Sequence, residues 1–263
     1  MNGFQIFMPL PQVYHIRDAM NVCFTLLVGK ERALLFDTGY GLFDLIGAVR
    51  DITPLPLTVL LSHGHHDHAC GAAQFDEVWI AGEDMPVISH YTGPEQRSRV
   101  LQQADAKGLL PEGFDRDGYL AAGTGNVKPL KEKEFDLGGI NAQVLCMPGH
   151  TLGSIGLMVM PYRLLLPGDN WNPTTWLFFP ECACIKRYVK TMRETEKHPF
   201  DHVLAPHDVN LIPGQRLRRY ISGLTKETLH SAKPASVPPY GNIHVCTCHP
   251  EPETTLFFDK DKL

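Results

Sequence analysis

Thr58-Val59-Leu60-Leu61-Ser62-His63-Gly64-His65-His66-Asp67-His68-Ala69-Cys70-Gly71 is the stretch on which the rest of the chain is arranged. Leu57 to Leu61 is an apolar, β-prone run that reads as a buried strand. It delivers into six residues holding four histidines and one aspartate. Imidazole nitrogen and carboxylate oxygen are the donors that suit a divalent borderline metal such as zinc, and so many in one tight loop beside a core strand would otherwise be wasted. The alternation His63-x-His65-x-Asp67-His68 is therefore read as a metal site. A solvated histidine-rich turn is the competing reading, and the strand before the cluster and Gly71 after it weigh against that. His66 falls outside the alternation and is not counted as a ligand.

Length and composition narrow the class. A chain of 263 residues with 43% hydrophobic and 20% charged residues can bury a large core, and one domain over 1–263 is the simplest count. The net charge of −5 and the scattering of basic residues over helix-like patterns disfavour nucleic acid and anionic membrane as partners, leaving a small-molecule substrate. The beginning, from Met1 to Pro9, shows no basic leader followed by a long apolar stretch, and no run approaches a membrane span. Seven cysteines without framework spacing fit a reducing compartment, so a cytoplasmic protein is expected.

In chain order, Val22–Val28 and Ala33–Phe36 read as a hairpin that ends in Asp37-Thr38-Gly39. Gly41–Ile52 has the apolar spacing of an amphipathic helix, stopped by Pro54. After the histidines come a short helix over Ala69–Phe75, a strand at Val78–Ala81, a polar helix over Glu95–Lys107 and a long loop from Leu109 to Asn126. The insertion over 83–127 reads as a lid, a substrate loop or a surface excursion. Strands follow at 135–137, 142–147, 155–160, 163–166 and 202–205, with helices over 185–197 and 215–232 and edge strands at 243–248 and 254–258. Metal-competent residues recur at strand exits: Asp37, the histidine loop, His150, Asp169 and His207.

These residues resemble, in order and over nearly the whole chain, the metallo-β-lactamase superfamily of metal-dependent hydrolases with its glyoxalase II and lactonase relatives. Ser62-His63-Gly64-His65-His66-Asp67-His68 carries the resemblance. Phe36-Asp37-Thr38-Gly39, Pro148-Gly149-His150-Thr151, Pro167-Gly168-Asp169 and Ala205-Pro206-His207 support it. The resemblance implies an α+β, αβ/βα four-layer sandwich, two mixed sheets face to face with helices outside, and a pair of metals. His63, His65 and His150 would bind the first metal and Asp67, His68 and His207 the second. Asp169 would bridge them, and Asp37 would orient a ligand from behind. Asp67 and Asp169 are then essential to catalysis. Two divalent ions, zinc before iron or manganese, would turn shared water into a hydroxide nucleophile.

The expected reaction is therefore hydrolysis of an ester, thioester, lactone or related bond of a small molecule. The alternatives are a phosphodiesterase on the same metals and an iron-dependent oxygen or redox enzyme similar to persulfide dioxygenases. Aromatics that follow Asp169 directly, with Asn170, Trp171, Trp176 and Phe178 foremost, are expected to wall the substrate pocket. A lactonase would need a tyrosine near the metals, a place that spacing assigns to neither Tyr119 nor Tyr188. Cys182 and Cys184 are read as buried apolar side chains, and His244-x-Cys246-x-Cys248-His249 as a strand with a second metal site as the lesser option.

Overall fold

Two strands that the sequence did not announce begin the chain, β1 (Phe4–Leu10) and β2 (Val13–Asp18), paired antiparallel. β1 is apolar in sequence, Phe4-Gln5-Ile6-Phe7-Met8-Pro9-Leu10, yet none of its residues is fully buried. The structure, a computed structural model, describes residues 3–237 and 244–263. Its backbone divides into two compact units, Met1–Gln143 and Val144–Leu263.

In the first unit the expected hairpin forms as β3 (Cys23–Val28) and β4 (Ala33–Phe36). Every residue of β4 is buried, the signature of a strand covered on both faces. The helix expected from Gly41 starts later, as α1 (Leu45–Ile52), because Asp44 caps it by accepting the Gly47 N–H at 2.8 Å. It buries Leu45, Ala48 and Val49 and crosses over to β5 (Leu57–Leu60), which lies parallel to β4. α2 (His66–Ala69) and a 3-10 turn at Cys70–Gln74 replace the single short helix expected there.

β6 (Val78–Ile80), α3 (Met85–Tyr91) and α4 (Pro94–Ala106) follow. The long loop expected after α4 contains a helix, α5 (Arg116–Ala121), started by Asp115 accepting the Gly118 N–H. Its Tyr119 packs into an apolar cluster with Leu42, Val100, Leu101 and Ala104, which joins the insertion to the Met20 and Leu42 loops. β7 (Val127–Pro129) completes a seven-stranded sheet in the order β1-β2-β3-β4-β5-β6-β7, antiparallel as far as β4 and parallel from there. β8 (Glu134–Asp136) pairs with the first half of β9 (Asn141–Cys146), the strand in which the unit boundary falls.

In the second unit β10 (Ile155–Met160) and β11 (Leu164–Leu166) are antiparallel, and β12 (Thr174–Leu177) comes next. α6 (Ile185–Thr195) leads to β13 (His202–Val203), parallel to β11, and to β14 (Ile212–Pro213). The order β14-β13-β11-β10-β9 makes one sheet. The long helix expected over 215–232 is broken into α7 (Gly214–Gly223) and α8 (Lys226–His230). A Cβ at Gly223 would lie 1.7 Å from the Pro250 carbonyl, and Thr225 restarts the helix by accepting the Thr228 N–H.

β15 (Lys233–Pro234), β16 (Val245–Cys248) and β17 (Thr255–Asp259) join β12 in a third sheet, β12-β17-β16-β15. The two tail strands are thus central to a sheet rather than edges; position 243 of the expected strand lies outside the described residues. Cys246 and Cys248 point into the core with Tyr188, Met192, Tyr220 and Leu256. Among the described residues, no helix is long and apolar enough to cross a membrane.

Candidate metal centre

In the first unit the donors gather at the C-terminal ends of parallel β4 and β5. The Asp37 N–H donates to Leu60 O at 2.9 Å, and Thr38 binds the His68 carbonyl through its N–H and its hydroxyl. Asp37 itself is buried, at φ 71°. Its Oδ1 accepts the Ser62 N–H at 2.7 Å, and its Oδ2 accepts the Ser62 hydroxyl at 2.8 Å and His68 Nδ1 at 2.9 Å. A carboxylate only accepts, so His68 carries its hydrogen on Nδ1 and its lone pair on Nε2. With its own hydrogen given to Asp37, Ser62 Oγ accepts from His63 Nδ1 at 2.9 Å, which fixes the same tautomer there.

These bonds set the rings side by side. The His63 ring lies 4.2 Å from that of His68 and 4.7 Å from that of His65, centroid to centroid. His68 Nε2 is 3.5 Å from Asp67 Oδ2. Gly64 makes the turn possible, since a Cβ there would lie 2.5 Å from the main-chain nitrogen of Ile88, and its N–H donates to buried Asp84 at 2.9 Å. His66 turns towards Tyr40 and Tyr91, with ring centroids at 5.5 and 5.9 Å, and burial lowers its pKa so that it stays neutral. The Tyr91 ring also covers His65, at 4.4 Å.

In the second unit three loops leaving β9, β11 and β13 bring His150, Asp169 and His207 together. His150 Nε2 is 3.5 Å from Asp169 Oδ2, and His207 Nε2 is 3.2 Å from Asp169 Oδ1, so two imidazoles flank one carboxylate. His150 Nδ1 is held by the Trp176 carbonyl at 2.7 Å, which leaves Nε2 as the lone-pair nitrogen. His150 and Asp169 are buried, while the His207 side chain is 34% exposed, the most open of the donors.

The protein therefore carries His/Asp groups able to hold a metal. The donors are the imidazole and carboxylate set that divalent borderline ions accept, and at His63, His68 and His150 the supporting hydrogen bond falls on Nδ1, which leaves Nε2 for a metal.

Of the residues expected to wall a pocket, Trp171 and Asn170 are fully buried, Trp171 in the main core cluster against Tyr220. Phe178 belongs to an apolar cluster with Val237 and Val245, and Trp176 is half-buried against it. Cys182 is buried as expected, but Cys184 is exposed. Among the described residues the tail assembles no second donor cluster: Cys246 and Cys248 are core side chains, His249 Nδ1 meets the Thr254 carbonyl, and His244 is exposed near Asp261.

Ser62 and Asp84 support the donor loop and were missed in the sequence. Ser62, directly before His63, carried the one local signal. Asp84 precedes Met85-Pro86 and reads as a helix cap, yet its side chain makes no cap bond to α3 and serves Gly64 instead.

Among curated proteins, the chain is 25% identical over 148 residues to the probable metallo-hydrolase YqgX of Bacillus subtilis, covering 54% of this chain and 63% of that protein. It is 23% identical over 233 residues to the acyl-coenzyme A thioesterase MBLAC2 of Gallus gallus, covering 84% of this chain and 83% of the relative. Among solved structures, the sec-alkylsulfatase Pisa1 from Pseudomonas sp. superposes with a TM-score of 0.62 at 17% identity, over 84% of this chain. The chain spans less than two thirds of the Bacillus relative and 41% of the sulfatase. At that identity the sulfatase shows the fold alone. The sequence profile of the metallo-beta-lactamase superfamily matches residues 19–232, and with the α+β fold of mixed sheets and outlying helices described above, the chain belongs to that superfamily.

Proposed function

We propose that the chain is a dinuclear metal hydrolase that cleaves a thioester, ester or lactone bond of a small molecule. In this reading the two units act as one domain. His63, His65 and His150 hold one ion, Asp67, His68 and His207 the other, and Asp169 serves both. The observation that carries it is the Asp169 carboxylate flanked by His150 and His207, alongside a histidine loop whose tautomers are already set for metal binding. When bound, two divalent cations, zinc foremost, supply Lewis acidity and a water acidified towards neutrality.

The chain's own residues do the rest. Asp37 and Ser62 keep the lone pairs of His68 and His63 on Nε2, the Trp176 carbonyl does the same for His150, and Asp169 contributes negative charge between two imidazoles. The thioester choice is supported by the relation to an acyl-coenzyme A thioesterase over most of both chains. Mostly imidazole donors favour zinc or iron over manganese, and of the two zinc is the proposal.

The test is metal quantitation on purified protein together with thioester, lactone, phosphodiester and β-lactam substrates. Thiol release must be read against the background of the exposed Cys146 and Cys184. Hydrolysis of a thioester or lactone by the zinc-loaded protein is expected. Inactivity of a fully metal-loaded sample on every substrate overturns the proposal, and selective cleavage of the phosphodiester replaces it.

A further inference from the structure

Beneath the Asp169 turn lies a hydrogen-bonded chain with no solvent exposure. Tyr188 on α6 and Tyr220 on α7 are both fully buried, with their hydroxyl oxygens 2.9 Å apart. The Tyr188 hydroxyl donates to the main-chain carbonyl of Asn170 at 2.8 Å. That bond uses the Tyr188 hydrogen, so in the tyrosine pair Tyr220 donates and Tyr188 accepts. Burial pushes both hydroxyls well above the ordinary tyrosine range, which keeps both protonated. Asn170, next in sequence to Asp169, turns its Oδ1 back to accept the main-chain N–H of His150 at 3.0 Å.

The packing leaves no slack in this chain. A Cβ on Gly149 would lie 2.3 Å from Asn170 Oδ1 and 2.8 Å from Tyr188 Cδ2, so the His150 loop, the amide and the phenol ring are in mutual contact. Hydrogen bonds in series polarise one another and stiffen the path they follow. Here the series runs from two helices to the main-chain carbonyl of Asn170, next to Asp169, and the Asn170 side chain separately holds the His150 main chain.

We infer that Tyr188 and Asn170 are positioning residues that set His150 and Asp169 at the spacing a metal requires, with Tyr220 fixing the direction of the Tyr188 hydroxyl. This rests on the metal-centre reading. It also accounts for a tyrosine close to the donors with no part in the pocket: its hydroxyl is spent on the main chain.

Tyr188→Phe and Tyr220→Phe test it in the full chain. Zinc affinity is measured by competition with a chromophoric chelator, and the thermal midpoint on the metal-free protein. Tyr188→Phe is expected to weaken zinc binding about tenfold or more, the scale seen when a hydrogen bond behind a ligand is lost. Tyr220→Phe keeps the bond to Asn170 and is expected to weaken zinc binding by a smaller factor. A purely structural role would lower the midpoint and leave zinc affinity unchanged, and that result for Tyr188→Phe overturns the inference. Should Tyr188→Phe fail to fold, Tyr220→Phe decides, and an unchanged affinity there overturns it equally. A wild type that binds no zinc overturns the metal reading underneath, and the inference falls with it.

Discussion

Asp37→Asn separates the hold on the histidines from the fold of their loop. Asp37 has φ 71°, a left-handed conformation that asparagine adopts about as readily as aspartate, so the exchange adds no backbone strain. An asparagine that keeps its oxygen on the Ser62 N–H must turn its NH2 group towards the two groups that Oδ2 now serves, the Ser62 hydroxyl and His68 Nδ1. His68 Nδ1 then has to accept, which moves its hydrogen to Nε2. The Ser62 hydroxyl reverses in the same way, and His63 follows through its 2.9 Å bond to Ser62 Oγ. Both rings would thus carry a hydrogen on the nitrogen that metal binding needs bare.

Held in the binding tautomer, His68 of the variant lacks the hydrogen bond to a charged acceptor that it makes in the wild type, about 1.5–3 kcal/mol. At 1.36 kcal/mol per decade this is about 10- to 100-fold in zinc affinity. The metal-free fold loses much less, because the Ser62 N–H bond survives and new bonds replace the old. A change below about 1 kcal/mol moves the midpoint by no more than about 4 °C in a chain of this size. Competition titration with zinc and calorimetry of the chelator-stripped protein read the two effects separately. A variant with wild-type zinc affinity, or one whose midpoint collapses in step with its affinity, would refute the tautomer argument.

Three further outcomes are expected. Asp169→Ala should bring bound zinc below one equivalent and abolish hydrolysis while the protein stays folded, whereas His66→Ala should do far less; full zinc content in the first, by elemental analysis, would contradict the shared role. Asp18, buried beside the Tyr40 turn, is raised from 3.8 to about 6, chiefly by burial against the main-chain N–H groups that favour its charge. Its folded value lies above its unfolded one, so the stability it contributes is complete below about pH 4 and is lost as pH rises through about 6. Asp18→Asn should therefore match the metal-free wild type at pH 4 and exceed it by about 3 kcal/mol at pH 8, by urea unfolding; an equal difference at both pH values would exclude the cause. Arg97 is buried and donates to the carbonyls of Thr92, Cys70 and Gly123 at 2.9, 2.9 and 2.7 Å, with its guanidinium 4.7 Å above the Tyr119 ring. Arg97→Met should cost about 3 kcal/mol and open residues 107–126 to limited proteolysis; resistance equal to wild type would show that the insertion stands without it.

The donors were legible because their signal is local: a strand, then ligand-type residues in fixed alternation, then a turn. His150, Asp169 and His207 were legible only as members of an ordered series, each following an apolar run, and that they meet at one carboxylate depends on β11 and β13 being parallel neighbours. What escaped the sequence depends on distant packing. The break after α7 is set by the Pro250 carbonyl, which sits where a Gly223 side chain would be, and α5 depends on Tyr119 finding the apolar cluster of α4. Tyr188 has the spacing of any core residue on an amphipathic helix, and only its hydroxyl's bond to Asn170 sets it apart.

Asp37 shows how fine that dependence is. It meets Ser62, 25 residues away, because β4 and β5 pair with Phe36 opposite Leu60 and the Asp37 N–H on the Leu60 carbonyl. Side chains alternate faces along a strand, so a register one residue different would turn either the carboxylate or the serine to the opposite side. The motif would be intact in sequence, and its histidines would have nothing to set their tautomers. The parallel register of two four-residue strands is thus as much a determinant of the proposed chemistry as the histidines themselves.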